Sequence, residues 1–393
     1  MLSSPTVPTF AKWPFYDQDE VAAGTACLTS GKVNYWTGTE GREFEKEFAQ
    51  WCGAKHAIVL GNGTLALELA HKALKLQCGD EVITTPRTFV ASATAFAIWG
   101  IKPVFADVDL DSGNITAESI AKVITPRTKA ILPVHLGGWP ADMPAILALA
   151  KEHGIHVIED CAQAHGAAID GQSVGTFGII NAWSFCQDKI ITTAGEGGMV
   201  TTDDEDLWKS MWSFKDHGKN YDAVYNREHP IGFRWLHEGL GTNWRLPEVQ
   251  SAVGRVQLQK LAGWTRARSE RAELLNKLFQ DNPVVRVPKV PDNITHAWYR
   301  WYGYLNVDAL SRTREEIMAE VNKAGVPLTI GSCGEIYREK GMIDAGFAPE
   351  KPLPNAHELH QSSIAFLVHP TLSLDAVQYG AEVLIDVLKR SVR

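Results

Sequence analysis

HAIVL-GNGTLALELAHKALKLQCGD-EVITT, residues 56–85, contains a complete strand–helix–strand unit. His56–Leu60 is an apolar run of strand length, and Leu65–Leu76 repeats apolar residues at helical spacing. Glu81–Thr85 is the next strand, stopped by Pro86. Strands joined this way imply parallel pairing through right-handed crossovers. The rhythm continues with a helix over Phe89–Trp99 and strands at Pro103–Val108, Ala130–His135 and His156–Glu159, with a helix near Asp142–His153. Thr192–Thr202 (TTAGEGGMVTT) predicts tight turns and short strands. The class is α/β, with a mostly parallel central sheet.

Beyond about Trp264 the texture changes. A charged amphipathic helix is predicted over Thr265–Gln280, followed by Pro283, Pro288 and Pro291. An aromatic strand, WYRWYGYLNV (298–307), a helix over Arg314–Ala324 and a terminal helix near Asp375–Arg390 complete the chain. This reading divides it into a large domain, 1–264, and a smaller C-terminal α+β domain, 265–393.

The 393 residues carry 38 basic and 46 acidic side chains, a formal charge of −8, with 45% hydrophobic residues. That is the composition of a globular protein, and without a Lys/Arg block neither nucleic acid nor an anionic membrane is an expected partner. Six cysteines without a CxxC pair read as reduced thiols of a cytoplasmic protein. MLSSPTVPTFAKWPF lacks the charged start and apolar core of a secretory signal, and no run approaches the roughly 20 apolar residues of a membrane span.

Three constellations carry chemistry. Gly61-Asn62-Gly63-Thr64 stands between a strand and a helix start, where close backbone approach and helix N–H groups favour an anion. A tight turn with Thr64 near the N-cap explains the same residues. The spacing through Ala66 also admits a dinucleotide, but that motif wants an acidic end to the next strand, and here the strand ends Thr84-Thr85-Pro86. Asp160 follows an apolar strand, at the strand end where open α/β sheets bind ligands. Its carboxylate could hold a metal, act as a base, pair with a protonated ring nitrogen, or merely cap a helix. Lys189 lies between the apolar strand Ala182–Phe185 and the turn Gly195-Glu196-Gly197-Gly198. A lone lysine is ordinarily a solvated charge, whereas one sheltered in a cleft can lose its proton and form a Schiff base. In this order, an anion loop, an aromatic residue after a strand (Phe89), a carboxylate and a lysine are the four parts that pyridoxal 5′-phosphate requires. No metal site is expected.

NYWTG (34–38), NGTLALELA (62–70), GDEVITTPRTF (79–89), PVFADVD (103–109) and VHLGGWPADM (134–143) run in order along the chain. VIEDCAQAHGA (157–167), SFCQDKIITTAGEGGMV (184–200), DHG (216–218) and GTNWRLPEVQSAVGRVQL (241–258) follow. With these motifs the chain resembles, over nearly its whole length, the sugar aminotransferases of the DegT/DnrJ/EryC1/StrS group, which have the type I (aspartate aminotransferase-like) fold. The resemblance implies that Lys189 is the Schiff-base lysine, Asp160 the partner of the pyridine nitrogen and Gln163 a side chain beside the cofactor ring. It places Phe89 in the ring-stacking position and Gly63, Thr64 and Ser184 at the phosphate. Asn243 matches an asparagine that reaches the cofactor phosphate of the partner subunit, which implies a homodimer with shared sites. His217, Tyr337 and Arg338 are candidate substrate contacts, although a buried structural histidine is an alternative reading of His217. Asp188 has no counterpart role.

The implied reaction moves an amino group from L-glutamate to a keto sugar, nucleotide-linked by the family's habit. Members that lack the lysine dehydrate sugars, so Lys189 favours transamination. A keto-cyclitol acceptor, a dinucleotide-dependent oxidoreductase and a catalytically dead ligand-binding member are the competing readings.

Overall fold

The computed structural model describes residues 7–393; Met1–Thr6, part of the segment read for a targeting signal, lie outside the described residues. Seven strands form the central sheet: β1 (His56–Leu60), β2 (Glu81–Thr84), β3 (Lys102–Phe105), β4 (Thr128–Leu132), β5 (His156–Asp160), β6 (Ile180–Ser184) and β7 (Gly198–Thr202). Their order is β1-β7-β6-β5-β4-β2-β3. Neighbours from β3 to β6 pair parallel, and β7 runs antiparallel to both β6 and β1. All residues of β2, β6 and β7 are buried. A sheet covered on both faces needs apolar runs rather than alternation, which is why the strands stand out in the sequence.

The helices that matter for the site are α1 (Gln18–Ser30), α2 (Glu40–Cys52), α3 (Gly63–Ala73), α4 (Ala91–Ala97), α5 (Met143–His153), α6 (Glu205–Lys215) and α7 (Glu248–Phe279). Helix α3 starts two residues before the expected Leu65, because the Asn62 side chain accepts the Leu65 N–H and caps it. Helix α7 is a larger departure. The helix expected at Thr265–Gln280 is only the second half of a 32-residue element. Pro247 stands at its N-cap, where a missing N–H is harmless. Gly254 lets it press on α2 and the turn at Thr193, since a Cβ there would stand 2.7 Å from Thr193 Cγ2 and 2.8 Å from the Phe44 ring.

The last turns of α7 enter a smaller C-terminal α+β domain. Its antiparallel sheet comprises β8 (Val285–Arg286), β9 (Trp301–Leu305) and β10 (Ser363–Phe366), in that order. Helices α8 (Arg314–Lys323) and α9 (Leu374–Lys389) accompany it. Leu275, Phe279, Trp301, Phe366 and Leu384 share its core. The aromatic strand expected from Trp298 begins at Trp301, because Trp298 has a φ of +49° and turns the chain. Among the described residues, no helix is long and apolar enough to cross a membrane.

Candidate active site

Asp160 ends β5, Ser184 ends β6 and Gly198 begins the reversed β7, so all three reach the same edge of the sheet. The Asn62–Gly63 turn packs against that edge. A Cβ on Gly63 would stand 2.7 Å from Ser184 Cβ, and one on Gly198 would collide with the Asn62 carbonyl. Glycine at both positions lets the N-terminus of α3 approach the ends of β6 and β7. The result is a cavity of about 400 Å³ lined by Gly63, Thr64 and Ser184 together with Asp160, Gln163 and Lys189. Phe89 lines it too and is 65% exposed.

Lys189 is held in a turn: its N–H donates to the Cys186 carbonyl at 3.0 Å, and its own carbonyl accepts the Trp13 indole N–H at 2.8 Å. Burial alone would push the Lys189 amine down, but the carboxylates of Asp188 and Asp160 hold it above the ordinary lysine value. Burial pushes the Asp160 carboxyl up, against the Ser92 hydroxyl, the Ala162 N–H and the cationic Lys189. The Ser92 hydroxyl donates to Asp160 Oδ2 at 2.7 Å and the Ala162 N–H to Oδ1 at 3.1 Å. Gln163 Oε1 accepts the Gly137 N–H at 2.8 Å, fixing which way the amide faces.

Four expected residues stand elsewhere in the single chain. Asn243 forms a short antiparallel bridge with Asp216, and next to it His217, with a φ of +59°, donates its N–H to the Thr242 carbonyl at 2.9 Å. Tyr337 is 3% exposed and packs on Phe105, with its hydroxyl bonded to Glu335. Arg338 pairs with Glu335 at 3.1 Å on the C-terminal domain. Neither Tyr337 nor Arg338 lines the cavity within the single chain. The sequence reading missed Ser92, Trp13, Tyr299 and Arg300. Ser92 is the exception with a signal, since it lies one helical turn after Thr88 at the start of α4 and shares a 3.0 Å hydrogen bond with it.

The family model of the DegT/DnrJ/EryC1/StrS aminotransferase family matches residues 14–384. The chain belongs to this family. Spore coat polysaccharide biosynthesis protein SpsC of Bacillus subtilis (strain 168) is 35% identical over 387 residues, 96% of either chain. The UDP-N-acetyl-3-dehydro-alpha-D-glucosamine 3-aminotransferase of Acidithiobacillus ferrooxidans is 40% identical over 293 residues, 74% of either chain. A solved aminotransferase from Psychrobacter cryohalolentis superposes with a TM-score of 0.96 at 49% identity, covering 98% of this chain and 100% of that one. The protein is thus an aminotransferase with the type I fold that the family motifs imply.

Proposed function

We propose that this aminotransferase delivers the amino group of L-glutamate to the keto carbon of a nucleotide-linked sugar, with pyridoxal 5′-phosphate as cofactor. The observation that carries the reading is the convergence of the Lys189 amine, the buried Asp160 carboxylate and the N-terminus of α3 in one cavity. The donor set fits that cofactor. The Gly63 and Thr64 N–H groups at the start of α3 have no partner within the helix and suit a phosphate, with Thr64 and Ser184 adding hydroxyls. Phe89 offers a ring to stack on, and the Gln163 amide, fixed by the Gly137 N–H, lines the same cavity.

Bound there, pyridoxal phosphate supplies an aldehyde carbon for amines and a ring that withdraws electrons. The chain's own groups do the rest. Asp160 keeps a proton on a pyridine nitrogen by charge, and Ser92 and Ala162 fix the direction of its carboxylate. The Lys189 amine takes the proton from the donor Cα and, in the return half-reaction, protonates the carbon that becomes the amino-bearing carbon of the sugar. The curated relatives named for UDP-, GDP- and dTDP-linked sugars support a nucleotide-linked acceptor. The reading includes a cytoplasmic homodimer with Asn243 at the partner's phosphate and a domain division at 264/265.

The test has two stages. A visible absorption band that borohydride abolishes must accompany the purified protein; its absence sinks the reading. A panel of nucleotide-linked keto sugars and keto-cyclitols with L-glutamate, followed by mass change, then selects the acceptor. Turnover of cyclitols alone would replace the sugar.

A further inference from the structure

Asp188 lies between Lys189 and the segment leading into β9. Its Oδ2 accepts the Tyr299 hydroxyl at 2.5 Å and stands 3.8 Å from Arg300 Nη2. Its Oδ1 stands 3.8 Å from Lys189 Nζ. Tyr299 joins these groups physically, with Lys189 Nζ 5.1 Å and the Arg300 guanidinium 5.0 Å from the centre of its ring. A carboxylate half exposed to solvent is here tied to a phenol that is only 5% exposed.

The aim of Tyr299 is strongly constrained. Trp298, just before it, has a φ of +49°, a conformation costly for a bulky side chain. The His296 ring stacks on Trp298 at 3.8 Å, and His296 Nδ1 accepts the Trp298 N–H at 2.8 Å. The buried Arg268 donates to the Trp298 and Tyr299 carbonyls, each at 3.3 Å. Four contacts, from His296 and Arg268, hold a strained corner whose outcome is one hydroxyl delivered to Asp188.

We propose that Asp188 is a positioning residue that sets the aim and proton affinity of the Lys189 nitrogen, with Tyr299 and Arg300 moderating its charge. Lys189 must alternate between charged and neutral forms, so a full carboxylate charge beside it would hold the proton too firmly. Sharing that charge with a hydroxyl donor and a guanidinium leaves a weaker field on the amine. The other groups facing Lys189 are Cys186 on its own segment, Asp160 on β5, Glu196 in the glycine turn and the buried His165.

The inference rests on the proposed cofactor, and its readout is spectral rather than catalytic. The pH midpoint at which the visible band of the cofactor-loaded protein changes reports the proton on the Lys189 nitrogen. Asp188→Asn keeps the shape and an acceptor for Tyr299 but removes the charge. It should move the midpoint down by about one unit, the low end for an opposite charge at this range because the group is half exposed. Tyr299→Phe, which returns the charge to Asp188, should move it up by about half a unit. An unmoved or raised midpoint in Asp188→Asn overturns the proposal, as does a downward shift in Tyr299→Phe. A purified protein without a borohydride-sensitive band overturns the cofactor reading itself, which separates the two failures.

Discussion

Glu159 and Asp160 are consecutive carboxylates at the end of β5 with opposite employment. Successive strand side chains face opposite ways, so only one of the pair reaches the cavity. Glu159 turns into the protein and accepts the N–H groups of Gly175, Phe177 and Gly178 at 2.8–2.9 Å, with His135 at 2.9 Å. His135 Nδ1 accepts the Ala141 N–H, so its Nε2–H is the donor to Glu159. Glu159→Gln would set an amide NH₂ against those donors at a cost of about 2–3 kcal/mol. Calorimetry should show a melting point lowered by several degrees, with the rate per folded molecule nearly kept. Asp160→Asn should do the reverse. Loss of about 3 kcal/mol of transition-state stabilisation corresponds to a rate about 100-fold lower, with cofactor content and melting point little changed. An Asp160→Asn enzyme as fast as wild type would reduce that carboxylate to a capping role. Lys189→Ala should abolish turnover while circular dichroism stays native, and Lys189→Arg should fail equally because guanidinium keeps its proton.

At the scale of elements, the N-terminus of α3 approaches β6 only because residue 63 has no side chain. Gly63→Ala places a Cβ 2.7 Å from Ser184 Cβ, on backbone-anchored atoms that cannot swing aside. The first turn of α3 must retreat from the cavity, and cofactor affinity should fall by about tenfold or more, read from the dissociation constant in a spectral titration. Wild-type affinity in that variant would remove the phosphate from this turn. Such placement was legible in the sequence wherever a strand is buried on both faces. The apolar runs of β1, β2, β5 and β6 are bounded by their own turn residues, and the ligand-facing positions follow from the strand ends. The first half of α7 was not legible as helix, because GTNWRLP before Glu248 reads as loop and the stripe Ala252, Val253, Leu258, Leu261 begins only after it. The strained corner at Trp298 was equally hidden. Its causes are the Arg268 guanidinium, 30 residues away, and a ring stacked from His296. Asp188 stayed unexplained for the same reason: Tyr299, its hydrogen-bond partner, lies 111 residues further along the chain.

At the scale of the whole molecule, two of the residues expected at the site but absent from its lining, His217 and Asn243, share one segment. His217 and Asn243 bracket a stretch in which Ile231, Phe233, Trp235 and Leu240 are all more than three-quarters exposed. So many large apolar side chains on one surface segment call for a covering partner, and a second copy is the occupant that would also bring Asn243 to a phosphate. A polar side chain donating to a phosphate contributes roughly 1.5–3 kcal/mol, so Asn243→Ala should weaken cofactor retention about tenfold to a hundredfold. Complementation decides whether the asparagine acts across the interface. In a mixed dimer of Asn243→Ala and Lys189→Ala chains, one site draws Lys189 from the first chain and Asn243 from the second, so it is wholly intact if the asparagine crosses over. The other site collects both lesions. If each asparagine serves its own chain, every site carries one lesion and none is intact. Mixing and re-equilibrating the two weak variants should therefore restore activity toward half that of wild type, counted per heterodimer. Verified heterodimers with no recovery would confine Asn243 to its own subunit and leave the exposed segment without a catalytic reason to dimerise.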